Sequence, residues 1–421
     1  MGETSAESEV ALARWIVPAL SAAAFLAYFD RYLPAAGATL IKRELALSDA
    51  AFGLAATTMF AIAYAATSAV TGLAPQRARR WTIAAGLALW TVGSAALAFV
   101  ASLEGFIAAE IAIGIGQGCV LPAAVTMLAG ARGMGRIGRS TSSFTVGSTL
   151  GRASSVLVAG LLIGWLATGA SGWLDRPWRA VFLLTALPNV LLLGWIALRG
   201  RDAIAAPAPT PAQDEGGTAG ARTIAGLFVA ASAAVLVLQA IGVWFPTLMV
   251  RCYGLTPQGA AIATGVVTLI AAPAGQALGG RLIDARPALR AAPTGLVTGA
   301  LSIACVALTL LTLTPGVAAS LVVLGVVDLL LGVAALAPLA GLQAQTRGTG
   351  RARATGLFFA AITVTGYGIG PLVVGAISDT APTSATGLAR ALALATGSAA
   401  LLAGGAHLAT RRGRRATGGE T

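Results

Sequence analysis

Residues 200–221 read Gly-Arg-Asp-Ala-Ile-Ala-Ala-Pro-Ala-Pro-Thr-Pro-Ala-Gln-Asp-Glu-Gly-Gly-Thr-Ala-Gly-Ala, from Gly200 to Ala221. Pro207, Pro209 and Pro211 alternate with small residues, and the acids Asp214 and Glu215 lead into a glycine pair. No apolar periodicity runs through the stretch. Prolines remove backbone donors and glycines widen the accessible φ range, so this composition makes a flexible linker. It falls near the middle of the 421 residues.

Outward from the linker, both flanks consist of long apolar runs with short breaks. Before it they are expected at 14–38, 51–74, 81–101, 104–130, 140–167 and 178–199. After it they are expected at 222–250, 258–284, 290–312, 316–344, 352–378 and 387–408. Each is close to the roughly 20 residues that a helix needs to cross a bilayer. The expected fold is an all-α membrane protein of twelve transmembrane helices in two six-helix halves. Its parts are an N-terminal tail (1–13), a first half (14–199), the linker (200–221), a second half (222–408) and a basic tail (409–421).

The composition agrees. The chain is 57% hydrophobic and only 10% charged, whereas a soluble domain carries roughly 25% charged residues. The 53 glycines suit helices that pack closely in lipid. A net charge of +12 would point to nucleic acid on a soluble protein, but here the arginines sit in short loops between apolar runs. Cys119, Cys252 and Cys305 are far apart, without metal-ligand spacing or a disulfide pattern. The acidic start, Met1–Val10, lacks a basic n-region and a cleavage site, so the first apolar run is expected to be retained as an anchor.

Arginine placement orients the chain. With the N-terminus cytoplasmic, the inner segments hold Arg14; Arg77, Arg79 and Arg80; Arg132, Arg136 and Arg139; Arg199, Arg201 and Arg222; Arg281, Arg286 and Arg290; Arg347, Arg351 and Arg353; and Arg411, Arg412, Arg414 and Arg415. The outer connections hold only Lys42, Arg43, Arg176, Arg179, Arg251 and Arg390. Arg31 and Arg152 fall inside apolar runs. The bias predicts a multi-pass protein of the inner membrane with both termini cytoplasmic.

The halves also echo each other. Thr145-Val146-Gly147-Ser148-Thr149-Leu150-Gly151 follows a basic, Gly-rich loop in the first half, and Thr365-Gly366-Tyr367-Gly368-Ile369-Gly370 does so in the second. Parallel six-helix repeats are a known transporter plan, with substrate held near the membrane midplane.

Further stretches carry a family resemblance. They are Tyr28-Phe29-Asp30-Arg31 in the first run, Trp178-Arg179-Ala180-Val181-Phe182 at the sixth, Trp244-Phe245-Pro246-Thr247 in the seventh, Gly280-Arg281-Leu282-Ile283-Asp284 after the eighth, and Gly368-Ile369-Gly370-Pro371 in the eleventh. In order and spacing the chain resembles the major facilitator superfamily. It is most similar to the organic-anion (anion:cation) symporter and Spinster-like branches. The resemblance implies alternating access between two halves. Three departures are visible. Pro75-Gln76 replaces the acidic signature after the second run. Glu110 and Gln117 stand where those branches carry an Arg and, seven residues on, a Glu. Arg152 follows Gly151 where an antiporter would carry proline, which lowers the expectation of drug export.

Ionisable groups inside a span cost about 2.5–3.5 kcal/mol on insertion scales and usually face a cavity or a partner. Asp30, Glu110 and Asp328 are therefore candidate proton-coupling acids. Arg31 and Arg152 are candidate anion-binding groups, since a guanidinium fork suits a carboxylate. An Arg152–Asp328 structural pair is the competing expectation. Tyr28, Tyr64, Gln117, Gln239 and Tyr367 are candidate cavity-lining residues, with Trp90 and Gln276 weaker ones. Arg77, Arg80, Arg281 and Asp284 are candidate gating residues on the inner loops. A single histidine, His407, excludes a histidine relay or cluster, and no metal or other cofactor is expected. Nor is there a phosphate-binding Gly-x-x-x-x-Gly-Lys-Ser/Thr loop, so ATP-driven pumping is excluded.

The expected function is secondary transport of a small organic solute, an organic anion such as a carboxylate, coupled to protons. The expected partners are that small-molecule substrate, protons and membrane lipids, with no nucleic acid, and the expected state is a monomer. Export of a hydrophobic or amphipathic compound is the alternative. A polytopic enzyme or a non-transporting receptor is the alternative from another class.

Overall fold

A computed structural model describes residues 3–71, 79–130, 137–169, 176–199, 221–286, 289, 293–313, 316–346, 348–381 and 386–416. The linker at 200–220, the loop holding Arg77 and the loop holding Arg132 and Arg136 lie outside the described residues.

Among the described residues twelve long helices follow in order. The first six are α1 (Glu3–Leu45), α2 (Asp49–Thr71), α3 (Arg79–Ala96), α4 (Leu103–Gly130), α5 (Ile137–Gly169) and α6 (Pro177–Arg199). Then come α7 (Ala221–Tyr253), α8 (Pro257–Ala285), α9 (Pro293–Leu310) and α10 (Val317–Gln345). Helix α11 comprises Gly348–Ile362, a π-helical stretch Thr363–Ile369 and Gly370–Asp379, and α12 is Gly387–Ala416. No strand occurs among the described residues. Among the described residues, eleven of these helices contain a stretch long and apolar enough to cross a membrane. Large apolar side chains such as Val70, Leu191, Ile270 and Leu401 are exposed. Water would penalise that much apolar surface, and lipid does not.

Two compact units emerge. One comprises Met1–Ala46 and Ala55–Thr210, the other Leu47–Leu54 and Pro211–Thr421. The first turn of α2 thus clusters with the second unit. The change of unit falls where α2 opens into a π-helical turn, Leu54–Thr58.

In the first unit α1 packs along α5 and α6, and α4 packs between α2 and α3. The approach of α1 and α5 is close. A Cβ added at Gly151 would lie 2.1 Å from the Phe25 carbonyl oxygen, and one at Gly147 would lie 2.6 Å from that of Ser21. In the second unit α7 and α11 meet the same way. A Cβ at Gly370 would lie 2.5 Å from the Leu236 carbonyl oxygen, and one at Gly366 would lie 2.3 Å from Val235 Cγ1. The glycine pairs that echo each other in sequence therefore do the same work in both units. Each removes side-chain bulk so that two backbones can touch.

The end of α1 is clasped to α3 and α6. Glu44 accepts hydrogen bonds from Arg179 (Nη2, 2.7 Å) and Trp178 (Nε1, 2.7 Å), and it pairs with Arg176. Arg179 also donates to the carbonyls of Ala98 (2.8 Å) and Val100 (2.7 Å), where α3 ends in a short 3₁₀ turn. Those carbonyls have no helical partner, so the arginine supplies one.

Candidate functional site

The candidate residues fall into two sets, one in each unit. In the first unit Asp30 is buried on α1. Its Oδ2 accepts three hydrogen bonds, from Trp90 Nε1 (2.8 Å) and Ser94 Oγ (3.0 Å) on α3 and from Asn189 Nδ2 (2.8 Å) on α6. Its Oδ1 and the Oδ1 of Asn189 are buried without a hydrogen-bond partner among the described residues. Trp90 is fully buried. Its ring fills the space between helices while its single N–H fixes the carboxylate.

Glu110 on α4 is 4% exposed. Neither it nor Asp30 is in an ion pair among the described residues.

Arg31 turns to a different set of groups. Its Nε donates to Gln117 Oε1 at 2.8 Å, and Gln117 Nε2 donates to the Ala27 carbonyl at 3.3 Å. Its guanidinium carbon lies 4.6 Å from the centroid of the Tyr28 ring, 4.8 Å from that of Phe60 and 4.8 Å from that of Tyr64. Three ring faces around one guanidinium form a cation–π cage. Tyr28, Tyr64 and Gln117, expected to line a cavity, are thus the partners of Arg31.

Arg152 on α5 is 7% exposed. Its guanidinium carbon sits 6.0 Å from the Tyr32 ring centroid. Among the described residues of the first unit it has no hydrogen-bond or ion-pair partner. One turn on, Ser155 donates to the Phe29 carbonyl at 2.6 Å and ties α5 to α1 beside it.

The second unit holds Asp328, buried on α10, whose Oδ2 accepts from Thr268 Oγ1 on α8 at 2.6 Å. Gln239 is buried on α7, and Tyr367 is buried in the π-helical part of α11. A π turn widens the helix at that point, and such turns recur at functional sites. Arg281 and Asp284 are exposed near the end of α8. Arg80 lies in the first turn of α3, and Arg77 lies outside the described residues. His407 packs against α9, with its Nδ1 3.0 Å from Thr294 Oγ1.

Sequence patterns missed Asn189 and Ser94 at Asp30, Phe60 at Arg31 and Thr268 at Asp328. Asn189 had a signal, because Pro188-Asn189 is a polar interruption in an otherwise apolar run. Ser94 had none, since a serine in an Ala-rich span is ordinary. Among the described residues no group of three His, Cys, Asp or Glu side chains is placed to hold a metal.

Comparison with known proteins places this geometry in context. No individual curated protein sequence matches the chain. Its fold is similar to that of a bacterial homologue of the human lysosomal transporter Spinster in an inward-facing, occupied conformation. The TM-score is 0.80 and the identity 18%, covering 96% of this chain and 97% of that one. The xylose transporter XylE from E. coli, partially occluded and inward-open, is similar at a TM-score of 0.64 and 15% identity, over 92% of this chain and 97% of that one. The nucleoside transporter NupG matches at 0.66 and 14%, over 94% and 99%. A profile of the Major Facilitator Superfamily matches residues 20–371. With two helical units, buried charges within them and a match over most of its length, this chain belongs to the Major Facilitator Superfamily and is a transporter rather than an enzyme.

Proposed function

We propose that this chain is a secondary active transporter that moves a small organic anion, such as a carboxylate, across the cytoplasmic membrane by alternating access. Both termini face the cytoplasm in this reading, and transport is coupled to proton binding at Asp30 and Glu110. The observation that carries the anion class is Arg152. A guanidinium 7% exposed, with a ring nearby and no acceptor among the described residues of its own unit, is costly unless something anionic meets it. Its planar fork fits a carboxylate through two parallel hydrogen bonds. Arg31 serves differently. Its cage of Tyr28, Phe60 and Tyr64 and its bond to Gln117 already satisfy it in part, so in this reading it is the second cation for the substrate anion after Arg152.

Asp328 is the corresponding buried acid of the second unit, held by Thr268, and Gln239 and Tyr367 would add polar contacts from that unit. Arg80 in the first turn of α3, Arg281 and Asp284 near the end of α8, and Arg77 help close the cytoplasmic side in this reading.

The test is uptake of a panel of labelled organic acids into proteoliposomes under an imposed pH gradient. Arg152→Ala should abolish uptake of the transported acid at normal protein levels. Arg152→Lys, which keeps the charge and loses the fork, should retain a fraction with a raised KM. Unchanged uptake by Arg152→Ala would remove the anion site.

A further inference from the structure

Four helix ends of the second unit converge. A Cβ added at Gly226, near the start of α7, would lie 2.3 Å from Thr410 Cγ2, near the end of α12. One added at Gly341, near the end of α10, would lie 2.8 Å from Pro293 Cγ at the start of α9 and 3.1 Å from Leu227 Cδ2 of α7. Thr294 of α9 in turn meets His407 and Thr410 of α12. Arg222 of α7 and Arg411 and Arg412 of α12 lie at this end, and all three are exposed. Among the described residues none of them is in an ion pair. No acid occurs in α7, α9 or α12, and the single acid of α10, Asp328, sits in mid-helix. Cations at the end of α12 suit its helix dipole, but Arg222 stands at the start of α7, where the dipole disfavours a cation. An anion at this end would serve both.

The face of α12 leading to the arginines says which kind of anion fits. Leu401, Gly405, Leu408 and Arg412 follow at steps of four, three and four residues, so they share one face of the helix. Leu401 is 79% exposed and Leu408 57%. A Cβ added at Gly405 would meet nothing within 4 Å, so this glycine leaves a notch between the two leucines. At about 1.5 Å per residue, Leu401 and Arg412 lie about 16 Å apart along the axis. That is close to half of a hydrocarbon core of roughly 30 Å. The face therefore presents one leaflet's depth of apolar surface and ends in cations. A soluble anion would use the arginines and leave the leucine face unused.

We propose that the end of α12, with Arg222 of α7, is a docking site for an anionic phospholipid. The headgroup phosphate meets Arg411, Arg412 and Arg222, and an acyl chain lies along Leu408, Gly405 and Leu401. Basic clusters at the end of a spanning helix attract anionic headgroups in this way, and guanidinium groups bind phosphate through charge-assisted hydrogen bonds. The reading of both termini as cytoplasmic makes the inner leaflet the source of this lipid. The binding itself does not depend on transport.

The experiment is thermal unfolding of the purified full chain in detergent. It is titrated with phosphatidylglycerol, with phosphatidylcholine of the same acyl chains, or with inorganic phosphate. A ligand that binds only the native state raises its stability with concentration. The expected result is a saturable rise in Tm with phosphatidylglycerol, about 2 °C or more above that with phosphatidylcholine, and none with phosphate. Arg411→Gln combined with Arg412→Gln should remove most of that difference, and so should Gly405→Leu, which fills the notch. All three positions are exposed, and the readout is a difference between lipids, so a change in absolute stability does not mask it. Arg43→Gln combined with Arg390→Gln removes as many exposed charges elsewhere and should leave the difference intact. Equal rises with the two lipids would overturn the proposal, because the headgroup charge would not be read. An equal rise with inorganic phosphate would also overturn it, because no acyl chain would be needed. So would an equal loss in the Arg43 and Arg390 variant, because net charge alone would then govern, or a difference that survives both α12 variants, because the lipid would then sit elsewhere. Uptake driven through Arg152 can succeed or fail independently of these outcomes.

Discussion

Asp379, at the end of α11, caps the start of α2 by accepting from the backbone N–H groups of Asp49 (2.9 Å, Oδ1) and Ala50 (2.8 Å, Oδ2). Ser48 Oγ takes the next free N–H, that of Ala51, at 3.1 Å, and the Phe52 N–H then bonds to the Ser48 carbonyl at 3.0 Å. Every orphan donor of that helix start is thereby satisfied. The Asp49 carboxylate is held in turn by both terminal nitrogens of Arg251, which also reaches Ser378 at 3.2 Å. This is why Leu47–Leu54 clusters with the second unit.

Asp379→Asn keeps the shape of this cap and removes its charge. Losing a charged cap at a helix N-terminus costs about 1 kcal/mol. Arg251→Ala should cost more, about 2–3 kcal/mol, because it leaves Asp49 buried without its cation. Thermal unfolding of the two variants should place Arg251→Ala well below Asp379→Asn. The reverse order would mean that the Arg251–Asp49 pair contributes little.

The glycine contacts predict a sharp positional dependence. Gly151→Ala and Gly370→Ala would drive a Cβ to 2.1 and 2.5 Å from a facing carbonyl oxygen. The helices must then separate, at about 1–3 kcal/mol for overpacking. Gly194 and Gly299 have nothing within 4 Å of the same position, so alanine there should be neutral or stabilising through its better helix propensity. Folded yield and Tm of the four variants test this. Equal losses at all four would mean that helix propensity, and not contact, governs.

Much of the architecture was legible because lipid imposes long apolar runs. The expected span at 104–130 and the helix Leu103–Gly130 nearly coincide, as do 258–284 and Pro257–Ala285. That Asp30 and Glu110 are both buried could be inferred from their place inside apolar runs. What depth cannot tell is which way a side chain turns about its helix. Asp30 and Arg31 are neighbours in sequence, yet one meets Trp90, Ser94 and Asn189 and the other meets Gln117 and three rings. Successive residues on a helix face about 100° apart, so an adjacent pair need not share a partner. Nor could apolar periodicity reveal that the first turn of α2 clusters with the other unit, since the Asp49–Asp379 and Asp49–Arg251 contacts join residues far apart in the chain.

Glu44 lies beyond the span expected at 14–38 and should mark the acid limit of the α1 clasp. Burial pushes its carboxyl up, but the hydrogen bonds from Arg179 and Trp178 and the positive charges of Arg179 and Arg176 outweigh that and hold it below the usual carboxylate range. A depressed folded-state pKa contributes stability that is complete above the unfolded value, near 4.3, and is lost as pH falls through the lower folded value. Glu44→Gln should therefore lower Tm at pH 7, and the gap from wild type should narrow below about pH 4. A gap independent of pH would show that packing, not charge, is what the clasp supplies.

Gln117 tests how the caged arginine is supported. It is wholly buried, and its Oε1 receives the Arg31 Nε–H. Gln117→Leu removes that acceptor from the buried Arg31 Nε–H. An unsatisfied donor of this kind costs about 1–3 kcal/mol, and more when charged. Gln117→Glu instead supplies a carboxylate at the same position and should form a charge-assisted bond with Arg31. The expected order of thermal stability is Leu below wild type, with Glu at or above it. If Leu matches wild type, the three-ring cage suffices to hold Arg31, and the Gln117 contact is incidental to its placement.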